Sequence, residues 1–514
     1  LQSLVQQLRH FGNRTMLSIF LFGIASGFPW VMIGSVMSAW LKDAGLTRSA
    51  IGYFSAVFAV YSVNFLWSPL LDRVRLPFIG KGLGQRRSWI FSMQMLICLG
   101  CFGLSVVDPT QTLTLAGLLA LGIALSSATQ DMAIDAYRIE SVDPEHSERQ
   151  STAAAMATSG WWTGYAGLGA IPFFVADISG WAWPDIYQVL AAMMLLISLG
   201  VWIATEPPSY REQQYGQAQA HYLKAIAGQG HRAALLLLAL SLAIALCFFQ
   251  VFGPQLFTQQ LYVIAAVVLL LLGFTLHSMG KLLRATPAEE INIRPAHRII
   301  TWLLVSLGEP LRDFFSRNGM RLALGLLTFV LLFKLGEAIL GRMSIVFYKE
   351  IGFSNADIGT YSKLLTWGVT VVASAISGLI TLRIGIIKGL FLGGLVMAAS
   401  NLLFALMASV GPSKPLLFVT IVVDGFTAAW GTVAFMAFIS VLCNRAFTAS
   451  QYALLASVAT FGRTTLGAYS GVLVDGLGGN WQWFFTLTAL MVLPSLGLLY
   501  LMRDKIRAIA GERA

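Results

Sequence analysis

The chain has 514 residues, of which 57% are hydrophobic and only 11% charged, whereas soluble domains carry about 25% charged residues. That balance excludes a soluble protein and points to a polytopic membrane protein. The formal net charge of +10 would suggest a nucleic-acid partner in a soluble chain; here it reads as loop asymmetry across a bilayer, with no nucleic acid implied.

Apolar segments of about 20 residues, the length that crosses a bilayer core, recur fourteen times. They fall near 16–39, 49–71, 88–107, 112–138, 151–176, 185–204, 233–252, 260–280, 320–347, 357–380, 385–409, 415–443, 450–475 and 481–502. An even count puts both termini on one side. Basic residues gather in alternate loops: Arg73, Arg75, Lys81, Arg86 and Arg87; Arg211, Lys224 and Arg232; Arg294, Arg298, Arg312 and Arg317; Arg503, Lys505 and Arg507. The opposite loops hold little beyond Lys42, Arg48, Lys349 and Lys414, so the positive-inside rule makes both termini cytoplasmic. The chain opens on Leu1 with no cleavable leader in view, so the native N-terminus is left open.

Two short matches suggest an internal duplication. GLTRSAIGYFS from Gly45 aligns with GFSNADIGTYS from Gly352, and Ala157-Thr158-Ser159-Gly160 aligns with Ala459-Thr460-Phe461-Gly462. Same-orientation halves of six helices are expected of a two-bundle secondary transporter. The expected fold is all-α, with an N-terminal six-helix bundle (1–204), a cytoplasmic linker (205–318) carrying an inserted transmembrane hairpin at about 233–280, and a C-terminal bundle (319–514). The hairpin is uniformly oily, which suits lipid on most sides better than a pathway. INIRPAHRIITWLLVSLGEPLRDFF alternates apolar and basic residues at partly helical spacing, as in a helix lying on the cytoplasmic surface or a plain linker.

The polar residues inside apolar segments carry the chemistry. In SSATQDMAIDAYR, Asp131, Asp135 and Arg138 share one helical face. A charged group in lipid is costly unless it is paired or wet. Asp135 and Arg138 form either a structural pair or part of the transport machinery. Asp131 is deeper and has no adjacent cation in sequence, which makes it the first candidate for a proton carrier. In the second half, Lys334 and Glu337 are three apart and can pair, and Asp424 and Arg463 also lie inside apolar segments. A salt-bridge network accounts for some of these charges; others can meet carboxylate or amide groups of a cargo. Trp161 and Trp162 offer flat surfaces on which sugar faces stack, and Gly27, among several glycines, allows close helix approach. Cys98, Cys101, Cys247 and Cys443 sit in or at the ends of apolar runs without a second pair or histidine cluster, so neither a metal nor a cofactor is expected.

The loop WSPLLDRVRLPFIGKGLGQRRSW resembles an expanded form of the loop signature of the major facilitator superfamily, with Asp72, Arg73, Gly84, Arg86 and Arg87 in place. At the matching site of the second half, GLITLRIGIIKG supplies Arg383 and Lys388 but no acid. That resemblance implies a gate in which the acid and its basic partners latch the two bundles on the cytoplasmic side. The insertion leaves the partners of Asp72 open. Further stretches, GIASGFPW, NFLWSPLLDR, GQRRSW, SSATQDMAIDAY, PLRDFFSRNG, LFKLGEA and CNRAFTASQYALLAS, are similar to those of the AmpG-type anhydromuropeptide permeases.

The resemblance implies proton-driven import across the Gram-negative inner membrane of N-acetylglucosaminyl-1,6-anhydro-N-acetylmuramic acid and its peptides. Such import serves cell-wall recycling and, in some species, β-lactamase induction. By the same resemblance, Gln130, Asp131, Asp135, Lys334 and Glu337 are functional positions. Joined to the reading of the residues above, this gives Asp131, Asp135 and Glu337 for proton coupling; Gln130, Lys334, Asp424, Arg463, Trp161, Trp162 and Gly27 for cargo; and Asp72, Arg73, Arg86, Arg87, Arg383 and Arg138 for gating. The expected partners are a small-molecule cargo, protons and membrane lipid, with the chain a monomer. The alternatives are an acetyl-CoA-type or other organic-anion transporter and, from another class, a membrane enzyme on lipid-linked sugars. The last lacks a nucleophile elbow or phosphate loop.

Overall fold

A computed structural model describes residues 13–45, 57–58, 60–109, 111–143, 149–176, 180–208, 295–353, 360–463 and 470–510, with isolated residues at 216, 219, 220, 223, 270, 271, 273, 274, 277 and 357. The regular structure among them is helical throughout. The first half contributes α1 (Arg14–Trp30), α2 (Ser68–Arg73), α3 (Gln85–Ser105), α4 (Leu113–Glu140), α5 (Gln150–Trp162) and α6 (Trp183–Ser198). A connecting helix, α7 (Pro295–Asn318), leads to α8 (Met320–Leu332), α9 (Leu335–Glu350), α10 (Thr366–Ile384), α11 (Ile386–Val410), α12 (Lys414–Leu442), α13 (Thr448–Phe461), α14 (Trp481–Leu490) and α15 (Leu493–Ala510).

Nine helical spans among the described residues are long and apolar enough to cross a membrane, some joining two adjacent helices. They account for nine of the fourteen expected segments. Of the other five, 151–176 is helical but interrupted, 49–71 and 450–475 are described only in part, and the hairpin at 233–280 lies almost wholly outside the described residues, as does Cys247.

Interruptions concentrate within particular helices. After Pro29, α1 passes through a π-helical stretch, Val31–Val36, before continuing as Met37–Asp43. Past Trp162, α5 loosens into Thr163–Gly167 and Leu168–Ala170, where the glycines of TGYAGLGA weaken helical preference. The span containing α8 and α9 breaks at Phe333–Lys334. By contrast, α4, α11 and α12 run unbroken for 28, 25 and 29 residues. Irregular backbone at membrane depth is tolerated where it is enclosed by protein or lines a cavity.

Glycines set the closest helix crossing. A Cβ at Gly23 would lie 2.6 Å from the Ala157 carbonyl oxygen, and one at Gly160 would lie 2.2 Å from that of Phe20, so α1 and α5 approach backbone to backbone. Gly462, which aligns with Gly160 in the proposed duplication, makes the corresponding contact in the second half: its Cβ would sit 2.6 Å from the Leu331 carbonyl oxygen of α8.

The two halves meet along α5 against α10 and α12, and along α13 against α2 and α4. At one face, α7 joins both. Arg73 donates to the Trp302 carbonyl and to Ser306 Oγ, each at 2.7 Å, while Asp313 accepts from Asn444 at 3.1 Å and from Gln451 at 2.8 Å. Val305 and Phe314 of α7 are buried. The segment expected to be a surface helix or a plain linker is thus a helix packed against both halves.

Candidate functional site

Three polar groupings interrupt the apolar packing, and each collects residues that are far apart in sequence.

The first is a charge cluster where α2, α3, α4 and α13 converge. Arg86 is fully buried and its Nη2 lies 2.7 Å from Asp72 Oδ1 and 2.6 Å from Glu140 Oε1. Its Nη1 donates to the Leu71 carbonyl at 2.9 Å. Asp72 then reaches the other half: its Oδ2 accepts from the Ser450 backbone N–H at 3.0 Å and from Ser450 Oγ at 2.7 Å. A carboxylate taking the free N–H groups of a helix start is well satisfied. The partners of Asp72, open from sequence, are therefore Arg86 and the first turn of α13. Glu140, the last residue of α4, completes the cluster. Close by, Arg445 donates to the carbonyls of Glu140 and Val142.

The remaining gating candidates divide. Arg87 donates to the Val201 carbonyl at 2.9 Å within the first half, and Glu206 accepts the backbone N–H groups of Arg86 and Arg87, satisfying the start of α3. Arg73 belongs to the α7 contact, with its guanidinium 5.1 Å from the Trp302 ring centroid. Arg383 occupies the last turn of α10 and is exposed. Arg138 is fully buried: it pairs with Asp135 at 3.1 Å, donates to Ser440 Oγ of α12 at 2.8 Å, and lies 5.3 Å from the Tyr452 ring centroid of α13. The expected Asp135–Arg138 pair forms, and it spans the seam between the halves.

The second grouping surrounds Asp131. Gln130 is fully buried and its Nε2 donates to the Ala25 carbonyl of α1 at 2.7 Å. Ser26, Trp30 and Tyr61 lie within interaction range of Asp131. The Trp30 ring centroid is 4.6 Å from Tyr61, 4.8 Å from Phe58 and 6.0 Å from Trp161, and Trp161 stacks on Tyr165 at 4.9 Å. Trp162 meets Trp161 edge-on at 5.5 Å. Beside this aromatic box, Trp30 Nε1, Tyr61 OH, Ser127 Oγ and Asp131 Oδ1 are buried polar atoms, with Trp30 in reach of Asp131 and Tyr61 in reach of Ser127. Gly27 is buried at the edge, where a Cβ would lie 2.1 Å from the Trp161 carbonyl oxygen; its place is in the helix crossing and not on an open surface.

The third grouping lies in the second half. Lys334, at the break before α9, is 7% exposed; its Nζ is 2.6 Å from Glu337 Oε2 and 2.6 Å from Thr432 Oγ1. Asp424 of α12 interacts electrostatically with both Glu337 and Lys334 and accepts from Ser400 Oγ at 3.2 Å. Thr427 extends the hydroxyl chain, donating to Ser400 at 3.1 Å. The expected Lys334–Glu337 pair is formed, and Asp424 joins it. Arg463 remains exposed, with a long contact of 3.4 Å to Thr460 Oγ1.

Mutual pairing of Lys334 and Glu337 sets an expected result. Lys334→Met and Glu337→Gln each lower the melting temperature, and the double variant loses less than the sum, with a coupling of about 0.5–3 kcal/mol. A double-mutant cycle on the purified protein measures this. Strict additivity would show that the pair does not hold the α8–α9 break.

Sequence missed Glu140, Trp30, Tyr61, Ser400 and Ser450. Glu140 looked like an ordinary helix end, although it lies two residues beyond an arginine already singled out. Trp30 lies inside GIASGFPW, a stretch already noted as resembling a family motif, and its indole next to Pro29 was the available signal.

No protein-family model matches the chain. It is 28% identical over 496 residues to a putative transporter AmpG 4 of Rickettsia felis, covering 96% of this chain and 98% of that one. It is 24% identical over 503 residues to the anhydromuropeptide permease of Escherichia coli K12, covering 98% and 82%. Among solved structures it resembles the major facilitator superfamily proton:xylose symporter XylE, with a TM-score of 0.57 at 12% identity over 96% of this chain and 95% of that one. The human organic anion transporter MFSD10 gives 0.55 at 15% identity over 96% and 99%. The chain is thus a multi-pass membrane protein with the fold that these major facilitator superfamily structures share. Its likeness to proteins named as AmpG-type permeases extends over nearly its whole length.

Proposed function

We propose that the protein imports anhydromuropeptides, with N-acetylglucosaminyl-1,6-anhydro-N-acetylmuramic acid as the core cargo, by proton-coupled alternating access across a Gram-negative inner membrane, with both termini cytoplasmic. The observation that carries the reading is the box around Asp131, where aromatic faces suited to pyranose rings stand beside the buried polar groups of Asp131, Ser127, Trp30 and Tyr61. Such a site fits a neutral, hydroxyl-rich ring system. The Lys334–Glu337–Asp424 grouping offers a cation for the carboxylates of the muramic acid and its peptide. Asp131 serves as proton carrier, with Asp135 and Glu337 as further candidates for proton coupling. Gln130, Trp161, Trp162, Lys334, Asp424 and Arg463 contact or shape the cargo site, with Gly27 setting the helix approach beside it.

The clusters at Asp72 and Arg138 form the gate in this reading. Both join the halves at the face where α7 docks, which corresponds to a state closed toward the cytoplasm. The division into two bundles and a linker, 1–204, 205–318 and 319–514, and a monomeric working unit complete the proposal.

Counterflow in proteoliposomes tests the cargo. Vesicles preloaded with unlabelled anhydro-disaccharide should exchange the labelled sugar, and external acetyl-CoA should leave exchange unchanged. Exchange of acetyl-CoA without exchange of the disaccharide would assign the organic-anion alternative.

A further inference from the structure

A groove of about 510 Å³ opens between α11 and α15 at the end of the second half where α15 finishes. Phe391, Leu392 and Leu499 form its apolar wall, and Lys388, Arg503 and Arg507 stand at its rim with Asp504 and Tyr500. None of its lining residues belongs to the three polar groupings described above, although Lys388 lies in the second-half copy of the loop signature.

Its surroundings identify the medium that it faces. On α11, Leu392, Leu395, Leu402 and Leu406 are 41–48% exposed and recur at helical spacing, forming one stripe. On α15, Leu493, Tyr500 and Leu501 are 48%, 56% and 82% exposed. Exposed apolar stripes on a membrane-spanning helix are surfaces for acyl chains. Lys388 lies one turn before Leu392 and so continues the α11 stripe at its polar end. Arg503 and Arg507 lie three and seven residues beyond Tyr500, on the same face of α15. Apolar wall and cationic rim are therefore stacked along the membrane normal, in the order of an acyl chain and its headgroup.

The charges are arranged to receive an anion. Lys388 is exposed. Arg503 is held over the Tyr500 ring at 4.0 Å, and Asp504 lies 3.5 Å from Arg503 and 4.0 Å from Arg507. One largely exposed carboxylate thus stands among three cations. Basic pockets between transmembrane helices at the membrane surface accommodate anionic headgroups.

We propose that this groove binds an anionic phospholipid, with the phosphodiester among Lys388, Arg503 and Arg507 and one acyl chain along Phe391, Leu392 and Leu499. Native mass spectrometry of the full chain in mixed micelles containing equal dioleoyl-phosphatidylglycerol and dioleoyl-phosphatidylcholine provides the test. The wild type retains phosphatidylglycerol preferentially, and Lys388→Gln and Arg503→Gln each weaken retention roughly fivefold. Leu392→Trp fills the apolar part and lowers retention with every charge in place. Equal retention of the two lipids by the wild type would overturn the proposal. So would unchanged phosphatidylglycerol retention in a Lys388→Gln/Arg503→Gln protein of wild-type melting temperature. Displacement of the lipid by millimolar inorganic phosphate would assign the rim to free anions instead.

Discussion

Replacing Arg86 with alanine should be among the most damaging single changes in the chain, costing about 3–5 kcal/mol. The arginine is fully buried between Asp72 and Glu140, which are 2% and 3% exposed. Without it, two buried carboxylates lose the guanidinium that they share. Asp72 retains the N–H groups at the start of α13, whereas Glu140 loses both contacts of the guanidinium. Arg86→Lys should rescue only partly, because a lysine cannot contact both carboxylates and the Leu71 carbonyl with one planar fork. Replacing all three together, as Arg86→Met, Asp72→Asn and Glu140→Gln, should recover much of the loss, since a buried ion network can be exchanged for neutral groups at small cost. Thermal unfolding of the purified variants measures the series. A triple variant no better than Arg86→Ala would show that packing of the arginine stem, and not its charge, holds the junction.

Asp131→Asn should separate binding from driven transport. The substitution keeps the size of the side chain and fixes it in a neutral form. If protonation of Asp131 differs between the two access states, the proton gradient loses its means of shifting them. A one-unit pH difference supports about tenfold accumulation per coupled proton; the variant should equilibrate its cargo and accumulate none, while equilibrium binding persists. Asp135→Asn should behave differently. Its partner Arg138 would remain buried with Ser440 Oγ and the Tyr452 ring as its remaining contacts, so stability should fall along with transport. Driven uptake by Asp131→Asn equal to that of the wild type would move the coupling site to Asp135, Glu337 or Asp424.

The sequence made local chemistry legible and long-range chemistry obscure. Helix-spaced pairs such as Asp135 with Arg138 and Lys334 with Glu337 could be read directly, because three residues along a helix fix proximity. The Asp72 cluster could not: its members come from four helices, and Ser450 lies 378 residues beyond Asp72. Hydropathy located the nine spans found among the described residues, since lipid imposes a minimum apolar length. It did not show that the segment 151–176 loosens at Thr163–Gly167, because a glycine run inside an apolar stretch is equally compatible with tight packing. The tryptophans at 161 and 162 were visible as a pair, but the box that they complete needs Trp30 and Tyr61 from two other segments. The amphipathic pattern of α7 was visible as well; that its two ends engage different halves depends on Arg73 and Gln451, which no local pattern connects to it.

The central claim is that the polar box and the paired charges together serve proton-coupled import of an anhydro-sugar. The most direct measurement is uptake of labelled N-acetylglucosaminyl-1,6-anhydro-N-acetylmuramic acid by proteoliposomes, with the external medium either at the internal pH or one unit more acidic. The acidic exterior should drive accumulation above the external concentration, and a protonophore should collapse it to equilibration. Uptake that is identical with and without the gradient, or that does not exceed protein-free vesicles, would contradict the account.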